Sequence, residues 1–220
     1  MCDRYSLRTK LVQLADDFAI TQNRTLDLAT PIEFLPGQFA PVVRLTSNGQ
    51  RSLSNLRWGL APNWPSGNDL EARKITARAE FLTQTPAYRV LVRRSRCLVP
   101  VDGFYETPEP GTQLSQDSFT TLRQDRTFAL AGLWDEWVYG EKPVATFTVI
   151  TVATDPWSQN SDRRIPAILA RTQYSQWLSP QTHLDDVLAC LRPYPEEALY
   201  RHPISHVFDR TSVGLEPVAA

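Results

Sequence analysis

A chain of 220 residues with 42% hydrophobic and 21% charged residues has the composition of an ordinary folded protein. The length favours a single domain over residues 1–220. No run approaches the roughly 18 consecutive apolar residues of a membrane span, and the N-terminus lacks a basic segment followed by an apolar run, so we expect a cytoplasmic protein without membrane association. The formal net charge of −1 argues against a globally basic nucleic-acid protein.

The first half of the chain predicts a helix followed by strands and a second helix. Apolar residues recur at helical spacing near residues 9–19. The segments PVVRLT and LSNLRWGL have the β-branched and alternating apolar positions of strands. PAYRVLVRRS begins with Pro86 at the first position of a predicted helix, and CLVPVDGFYE is a predicted strand that enters a turn.

The second half adds further strands and two short helices. SFTTLRQDRTFALAGLW is predicted as a hairpin around QDR, and VATFTVITVAT as a central strand. TQYSQWLSP and THLDDVLACLRP are predicted short helices, each begun by a threonine cap and ended near a proline. Strands outnumber helices and do not alternate with them, which favours the α+β class with a curved, mainly antiparallel, barrel-like sheet flanked by short helices.

The chain has three cysteines: Cys2, Cys97 and Cys190. A disulfide framework needs a larger, even number of cysteines. None forms a C-x-x-C pair, so we expect neither zinc nor another cofactor. Cys2 follows Met1 directly, and removal of the methionine would place a free amine and a thiol on one residue. These groups titrate at about 8 and about 8.5, so both are partly available near neutral pH. The alternative is an incidental cysteine at a frayed terminus.

Basic residues are concentrated between positions 72 and 96, where seven lysines and arginines stand against the single acid Glu80. Such a stripe on an otherwise acidic chain is typical of a surface that follows a phosphate backbone. A solvated face of an amphipathic helix explains it equally well. The seven residues are Arg73, Lys74, Arg78, Arg89, Arg93, Arg94 and Arg96.

Five further segments are unusually rich in tryptophan, arginine and acidic residues: RWGLAPNW, TARAE, CLVPVDGFYE, AGLWDEW and RRIPAIL. A single tryptophan is more often core than site. Taken in order behind MCDRY, however, the blocks resemble those of the SRAP family, the SOS-response-associated proteins that sense abasic sites in single-stranded DNA. The resemblance covers nearly the whole chain and implies the SRAP fold.

The resemblance implies that Cys2, freed by autocatalytic or aminopeptidase removal of Met1, forms a thiazolidine crosslink with the opened abasic deoxyribose. Glu106 would be the general acid/base in an aromatic, partly dry pocket. The remaining matches imply a group of DNA-binding residues. Among these residues, arginines would bind phosphates and an apolar surface would stack against unpaired bases. The arginines are Arg4, Arg78 and Arg164, and the apolar residues are Trp58, Pro62 and Trp64. Arg78 has a structural alternative, a pair with Glu80 or Asp102.

Several positions depart from the family pattern. Thr76 stands in place of an asparagine beside the abasic sugar, which replaces an amide with a shorter hydroxyl. Asp162 stands in place of a histidine, and near Glu106 it could share one proton with that carboxylate. Asp3 replaces a glycine and Thr107 a tryptophan. The three histidines, His183, His202 and His206, lie outside the motif, and a surface role suits the last two best.

Three functions remain open at this point. The first is an enzyme that crosslinks to abasic sites, acting as a monomer on single-stranded DNA. The second keeps the fold and the DNA groove as a binding module without the reaction, as Thr76 and Asp162 favour. The third is an N-terminal-nucleophile amidohydrolase, but such enzymes start Cys-Gly-Ile and need a glycine-rich oxyanion segment, which CDRYSL does not offer.

Overall fold

A computed structural model describes residues 3–22, 33–60, 74–107, 117–123, 127–139, 142–154 and 163–204. The helices are α1 (Leu11–Asp17), α2 (Pro86–Arg94), α3 (Tyr174–Leu178) and α4 (Leu184–Ala189). The strands are β1 (Tyr5–Ser6), β2 (Glu33–Phe34), β3 (Phe39–Leu45), β4 (Arg51–Trp58), β5 (Thr76–Arg78), β6 (Arg96–Val101), β7 (Gly103–Glu106), β8 (Ser118–Leu122), β9 (Phe128–Tyr139), β10 (Lys142–Ala153), β11 (Arg164–Pro166), β12 (Ile168–Leu169) and β13 (Leu199–Pro203). Among these residues no helix is long and apolar enough to cross a membrane.

Five strands close into a barrel. β10 pairs with β4 in parallel, and the antiparallel pairs β4 with β3, β3 with β6, β6 with β9, and β9 with β10 complete the ring. β5 and β11 attach to β10, and β12 attaches to β9. The predicted curved, mainly antiparallel and barrel-like sheet is therefore confirmed.

A second sheet of five strands, in the order β13-β8-β7-β1-β2, packs beside the barrel and is antiparallel throughout. The core between them is aromatic. Tyr5 of β1 stacks on Phe34 with ring centroids 5.2 Å apart and lies 5.0 Å from the ring of Trp58 in β4. Side chains alternate across a strand, so Phe104 faces this core and its neighbour Tyr105 faces the opposite way.

The elements with the strongest local sequence patterns were predicted correctly. The helix expected near residues 9–19 is α1, and the helix expected at Pro86 is α2, which has a proline in its first turn. The segment predicted as a central strand lies in β10, which pairs with β4, β5, β9 and β11. In each case a local sequence signal was sufficient: helical periodicity for α1, Pro86 for α2 and a continuous apolar run for β10.

Two predictions were wrong. β8 and β9 do not form a hairpin, because β8 pairs with β7 and β13 in the second sheet while β9 belongs to the barrel. Alternation fixes which side chains are buried but not which strand is the partner. The prediction that threonines cap the two short helices is also wrong. α3 and α4 begin after Gln173 and His183, and neither helix has a side-chain cap. The Thr182 hydroxyl instead donates to the Gln176 carbonyl at 2.7 Å.

The basic stripe divides in the structure. Arg89, Arg93 and Arg94 are exposed along α2, as the solvated-face interpretation predicts. Arg96 is buried, and its guanidinium donates to the carbonyls of Val92, Trp177 and Ser179. Arg96 therefore ties β6 to α2 and α3 and does not contribute to a surface.

Gly132 in β9 is a point where the barrel wall has no space for a side chain. A Cβ there would lie 2.8 Å from the Cys97 sulfur and 3.0 Å from a methyl carbon of Val99. We predict that Gly132→Ala lowers the free energy of unfolding by about 1–3 kcal/mol through overpacking. Urea denaturation measures this loss.

The matched control is the Cys97→Ala/Gly132→Ala double variant, which removes the crowding sulfur. Its loss should be smaller than the sum of the two single losses, because the introduced methyl gains the vacated space. Simple additivity would contradict the steric explanation.

Candidate active site

Glu106, the last residue of β7, is a buried carboxylate with three donors around it. It is 6% exposed. Its Oε1 accepts hydrogen bonds from the Thr120 hydroxyl at 2.5 Å and from Arg201 Nε at 3.0 Å, and its Oε2 accepts one from Arg163 Nη2 at 3.3 Å. Charge-assisted bonds of this kind are what make a buried carboxylate tolerable. The two guanidinium groups were not predicted from the sequence, and they add positive charge to a carboxylate that is removed from water.

Strand register explains why these groups meet. Thr120 of β8 lies opposite Arg201 of β13, and both side chains point to the face on which Glu106 of β7 lies. Arg163 immediately precedes β11, whose pairing with β10 places Arg164 opposite Ala153. Residues from three separate segments therefore converge on one carboxylate.

Arg201 also pairs with Glu196 of the 3-10 turn Glu196–Ala198. Burial acts to lower the pKa of its guanidinium, but hydrogen bonds to Glu196 and Glu106 outweigh it and raise that pKa above its ordinary value. Arg201 thus stays cationic throughout the accessible pH range and holds a fixed positive charge beside Glu106.

The N-terminal strand β1 lies antiparallel beside β7, and the start of β1 is the end nearest to Glu106. Tyr5 lies opposite Phe104, and the Tyr105 backbone N–H donates to the Arg4 carbonyl at 2.9 Å. The Arg4 guanidinium lies 3.8 Å from the centroid of the Tyr105 ring and 3.6 Å from the Glu33 carboxylate. Its side chain is therefore on the face of the sheet opposite to Glu106.

Thr76 and Arg78 lie at the two ends of β5, opposite Val149 and Thr151 of β10. Thr76 is half-buried and Arg78 is exposed. Arg164 reaches the same place, where it donates to the Thr151 hydroxyl and carbonyl at 3.1 and 2.9 Å. Three of the predicted site residues therefore lie along β10, and one of them, Arg164, directly follows Arg163.

The structural alternative for Arg78 does not apply. Glu80 pairs with Arg164 at 2.7 Å. Asp102 accepts hydrogen bonds from the Arg8 and Thr9 backbone N–H groups and from the Thr9 and Thr127 hydroxyls. Both carboxylates considered as partners of Arg78 are thus occupied by other groups.

Trp58 is not the base-stacking residue that the sequence predicts. It is 0% exposed, its ring packs against Tyr5 and Phe147, and its indole N–H donates to the Ile75 carbonyl at 2.9 Å. A ring enclosed on both faces has no surface to offer a base. The other predicted residues, Cys2, Pro62, Trp64 and Asp162, lie outside the described residues, as does His206.

The two described cysteines are poor nucleophiles. Burial raises the pKa of the Cys97 thiol well above its ordinary value, and burial is also the main cause of the raised pKa of Cys190. The thiolate is the reactive form of cysteine, so neither group is suited to attack. Within the described part of the chain, no three or more His, Cys, Asp or Glu side chains are grouped to hold a metal ion.

Sequence reasoning missed Thr120, Arg163 and Arg201 as partners of Glu106. Arg163 is the first residue of the RRIPAIL segment, so its position in a family motif could have indicated a role in the site. Arg201 adjoins His202, but on β13 the two side chains face opposite ways, and His202 is exposed on the face away from Glu106. The late strand therefore brings an arginine, not a histidine, to the carboxylate.

Comparison with known proteins identifies the family. The sequence profile of the SOS response associated peptidase (SRAP) family matches residues 1–210. The chain belongs to the SRAP family. It is 29% identical to the abasic site processing protein YoaM of Bacillus subtilis (strain 168), over 93% of this chain and 91% of that protein. The abasic site processing protein HMCES of Gallus gallus is 27% identical, over 72% of this chain and 54% of that protein.

Solved structures share the SRAP fold seen here. A protein from Bacteroides thetaiotaomicron has a TM-score of 0.76 and 24% identity, over 92% of each chain. A protein from Bordetella bronchiseptica also has a TM-score of 0.76, with 22% identity over 93% of this chain and all of that chain. At these identities the likeness shows the common fold alone.

The Arg201–Glu106 pair gives a test of the site geometry. We predict that Arg201→Gln and Glu106→Gln are energetically coupled by about 1–3 kcal/mol, because each single change leaves the other group buried without its partner. Equilibrium unfolding of the wild type, both single variants and the double variant measures this coupling.

Arg123→Gln is the matched control, since Arg123 is exposed and donates to the Glu197 carbonyl at 2.9 Å. Its effect should add to that of Glu106→Gln within experimental error. Additive effects for Arg201→Gln as well would show that the pair does not form in solution.

Proposed function

We propose that this SRAP protein processes abasic sites in single-stranded DNA by forming a covalent thiazolidine between Cys2 and the opened deoxyribose, after removal of Met1. The observation that carries the proposal is the pairing of β1 with β7, which runs the N-terminal segment beside Glu106. Cys2 is two residues before Arg4, and consecutive Cα atoms are about 3.8 Å apart, so covalent connectivity keeps it close to the end of β7. The names of the relatives support the coarser part of the proposal, the processing of abasic sites.

The reaction needs both nucleophiles of the terminal residue. Opening of the sugar converts its hemiacetal to an aldehyde and a free hydroxyl. The α-amine adds to the aldehyde carbon, and loss of one water gives a Schiff base. The thiolate then forms a C–S bond to the same carbon while the nitrogen takes a proton, which closes the five-membered ring. The second attack is intramolecular and gains a high effective concentration.

Glu106 is the group proposed to move protons in these steps. Its carboxylate already accepts three hydrogen bonds, so it is oriented to accept the proton of the sugar hydroxyl and return it when water leaves. Arg163 and Arg201 act as positioning residues for this carboxylate. Asp162 precedes Arg163 in the chain and is the candidate for a second proton-sharing carboxylate.

DNA contacts are proposed for the surface beside β5. Arg78 is exposed and can pair with a phosphate, while Thr76 at the other end of the strand offers a hydroxyl to the abasic sugar. Arg164 is held by Glu80 and Thr151, so its contribution is to fix this surface. Arg4 is proposed to approach a phosphate from beside Tyr105.

A second function is favoured by one observation, the short hydroxyl of Thr76 where an amide would position the sugar. Under this alternative the protein binds single-stranded DNA without forming the adduct. The first experiment separates the two.

We expect the tag-free protein to form a band shift that survives heating in denaturant when it is incubated with a single-stranded oligonucleotide carrying one abasic site. Cys2→Ala should abolish the stable band, because the thiol is lost. Cys2→Ala and Cys2→Ser both keep the α-amine, so an adduct of either should appear only after borohydride reduction of the Schiff base. Glu106→Gln should slow the reaction by about 10²-fold or more, in the range of about 10²–10⁴ for general acid/base groups. Denaturing gels and intact mass report each adduct.

An undamaged oligonucleotide is the control, and it should give no stable band because it offers no aldehyde. Native binding without any adduct, in protein shown by mass to lack Met1, would establish the binding module instead. In that case Thr76→Asn and Asp162→His, which restore the family residues, test whether the departures caused the loss.

A further inference from the structure

The face of the second sheet that points away from Glu106 carries a continuous set of rings, here called the outer row: Tyr105, Phe119, His202 and Tyr200. Register places the first three side by side, since Tyr105 of β7 lies opposite Phe119 of β8, and Phe119 lies opposite His202 of β13. Successive ring centroids are 4.9, 6.4 and 4.4 Å apart. The rings therefore form a continuous row across three strands, which is buried at Tyr105 and exposed at Tyr200 and His202.

Gly103 allows this arrangement. A Cβ at that position would lie 2.4 Å from the Phe119 Cζ atom and 2.7 Å from the Thr120 carbonyl oxygen. The Phe119 ring thus lies across β7 over the glycine, on the side away from Glu106. The close approach fixes the ring on the outer face.

Positive charge flanks the outer row at both ends. The Arg4 guanidinium covers the Tyr105 ring at 3.8 Å, and the Arg123 guanidinium lies 5.1 Å from the centroid of Tyr200. Beside the rings is a pocket of about 350 Å³, lined by Ser6, Arg8, Asp102, Tyr105, Phe119, Thr121 and Ile204.

The acidic groups near this face are already neutralised or saturated. Glu33 pairs with Arg4, and Asp102 accepts hydrogen bonds from two backbone N–H groups and two hydroxyls. Asp102 keeps its negative charge, so Arg4, the exposed Arg8 and Arg123 stand against Glu33 and Asp102 and leave these groups with one net positive charge. A negatively charged partner with flat apolar groups complements such a surface.

Cross-strand ring pairs also stabilise sheets, and the buried Tyr105 and half-buried Phe119 serve that role here. The outer end of the row is open to solvent, with Tyr200 46% exposed and His202 exposed beside it. Exposed rings side by side and guanidinium groups at their ends are the features with which proteins hold unpaired nucleic acid, because every base has a π-face and every nucleotide a phosphate.

We propose that the outer row, with Arg8 and Arg123, binds unpaired DNA that continues from the abasic nucleotide. The inference rests on the proposed function for the identity of the ligand, and it adds a second contact on the opposite face of the same strand. Glu106 and Tyr105 are neighbours on β7 with opposite orientations. A DNA strand that passes the end of β7 therefore meets the reaction site on one side and the outer row on the other.

The test compares undamaged oligothymidylate of about 6 and about 18 nucleotides, since stacking sites of this kind cover about 4–16 nucleotides. Fluorescence anisotropy should show tighter binding of the longer strand by wild-type protein. Tyr200→Ala/His202→Ala should weaken binding of the longer strand by about 5-fold or more, within the range for loss of a stacked ring. Binding of the shorter strand and the Cys2 crosslink to a short abasic oligonucleotide should not change.

Tyr200→Phe is the matched control, because it keeps the ring and should bind the longer strand as the wild type does. Arg123→Gln should reduce the slope of log affinity against log salt by about 1, as expected for loss of one phosphate contact. Circular dichroism and thermal melting establish that each variant is folded.

The inference is overturned if the double variant binds the longer strand like the wild type, if it weakens both strands equally, or if the wild type gains nothing with length. Its failure is distinguishable from that of the proposed function. Stable crosslinking without a length effect would refute the DNA-binding role of the outer row alone. A length effect that depends on Tyr200 and His202, without crosslinking, would refute the thiazolidine reaction and support the outer row.

Discussion

The backbone pairing of the four-residue strand β7 is the constraint on which the site depends. β1 on one side ties the N-terminal segment to this strand, and β8 on the other supplies Thr120. Because side chains alternate across a strand, Glu106 must face inward when Tyr105 faces outward. One short strand thus sets the place of β1, the direction of the carboxylate and the position of the outer rings. A register shift of one residue would move Glu106 to the outer face of the sheet and Tyr105 to the inner face.

Burial of Glu106 then dictates what else must be present. A carboxylate removed from water is costly unless it is paired and hydrogen-bonded. Arg201 from β13 and Arg163 from the segment before β11 meet that requirement. β11 is held by β10, which also closes the barrel against β9 and carries β5. The long strands of the barrel therefore act as a rigid support for a site that lies beside them.

The sequence predicted what local patterns determine. Helical periodicity and Pro86 located two helices, an apolar run located β10, and the ordered motifs located the family and Glu106. Partner choice was not predicted, because β8 has the pattern of a half-buried strand in either sheet. Arg201 was missed since it lies 95 positions from Glu106. Trp58 was misassigned because a motif tryptophan can be required for packing as well as for binding.

The arginines around Glu106 also bear on the most marked departure of this chain from its family. An aspartate at 162 adds a carboxylate next to Arg163 in sequence, where a histidine could have carried a positive charge. Repulsion between two nearby carboxylates is reduced when guanidinium groups lie between or beside them. Arg163 and Arg201 already contact Glu106, and Arg201 has its charge fixed by Glu196 as well. The positive charge that a protonated histidine would supply is thus present permanently, but a guanidinium releases no proton near neutral pH, so in the proposed reaction the proton transfers belong to Glu106 and Asp162.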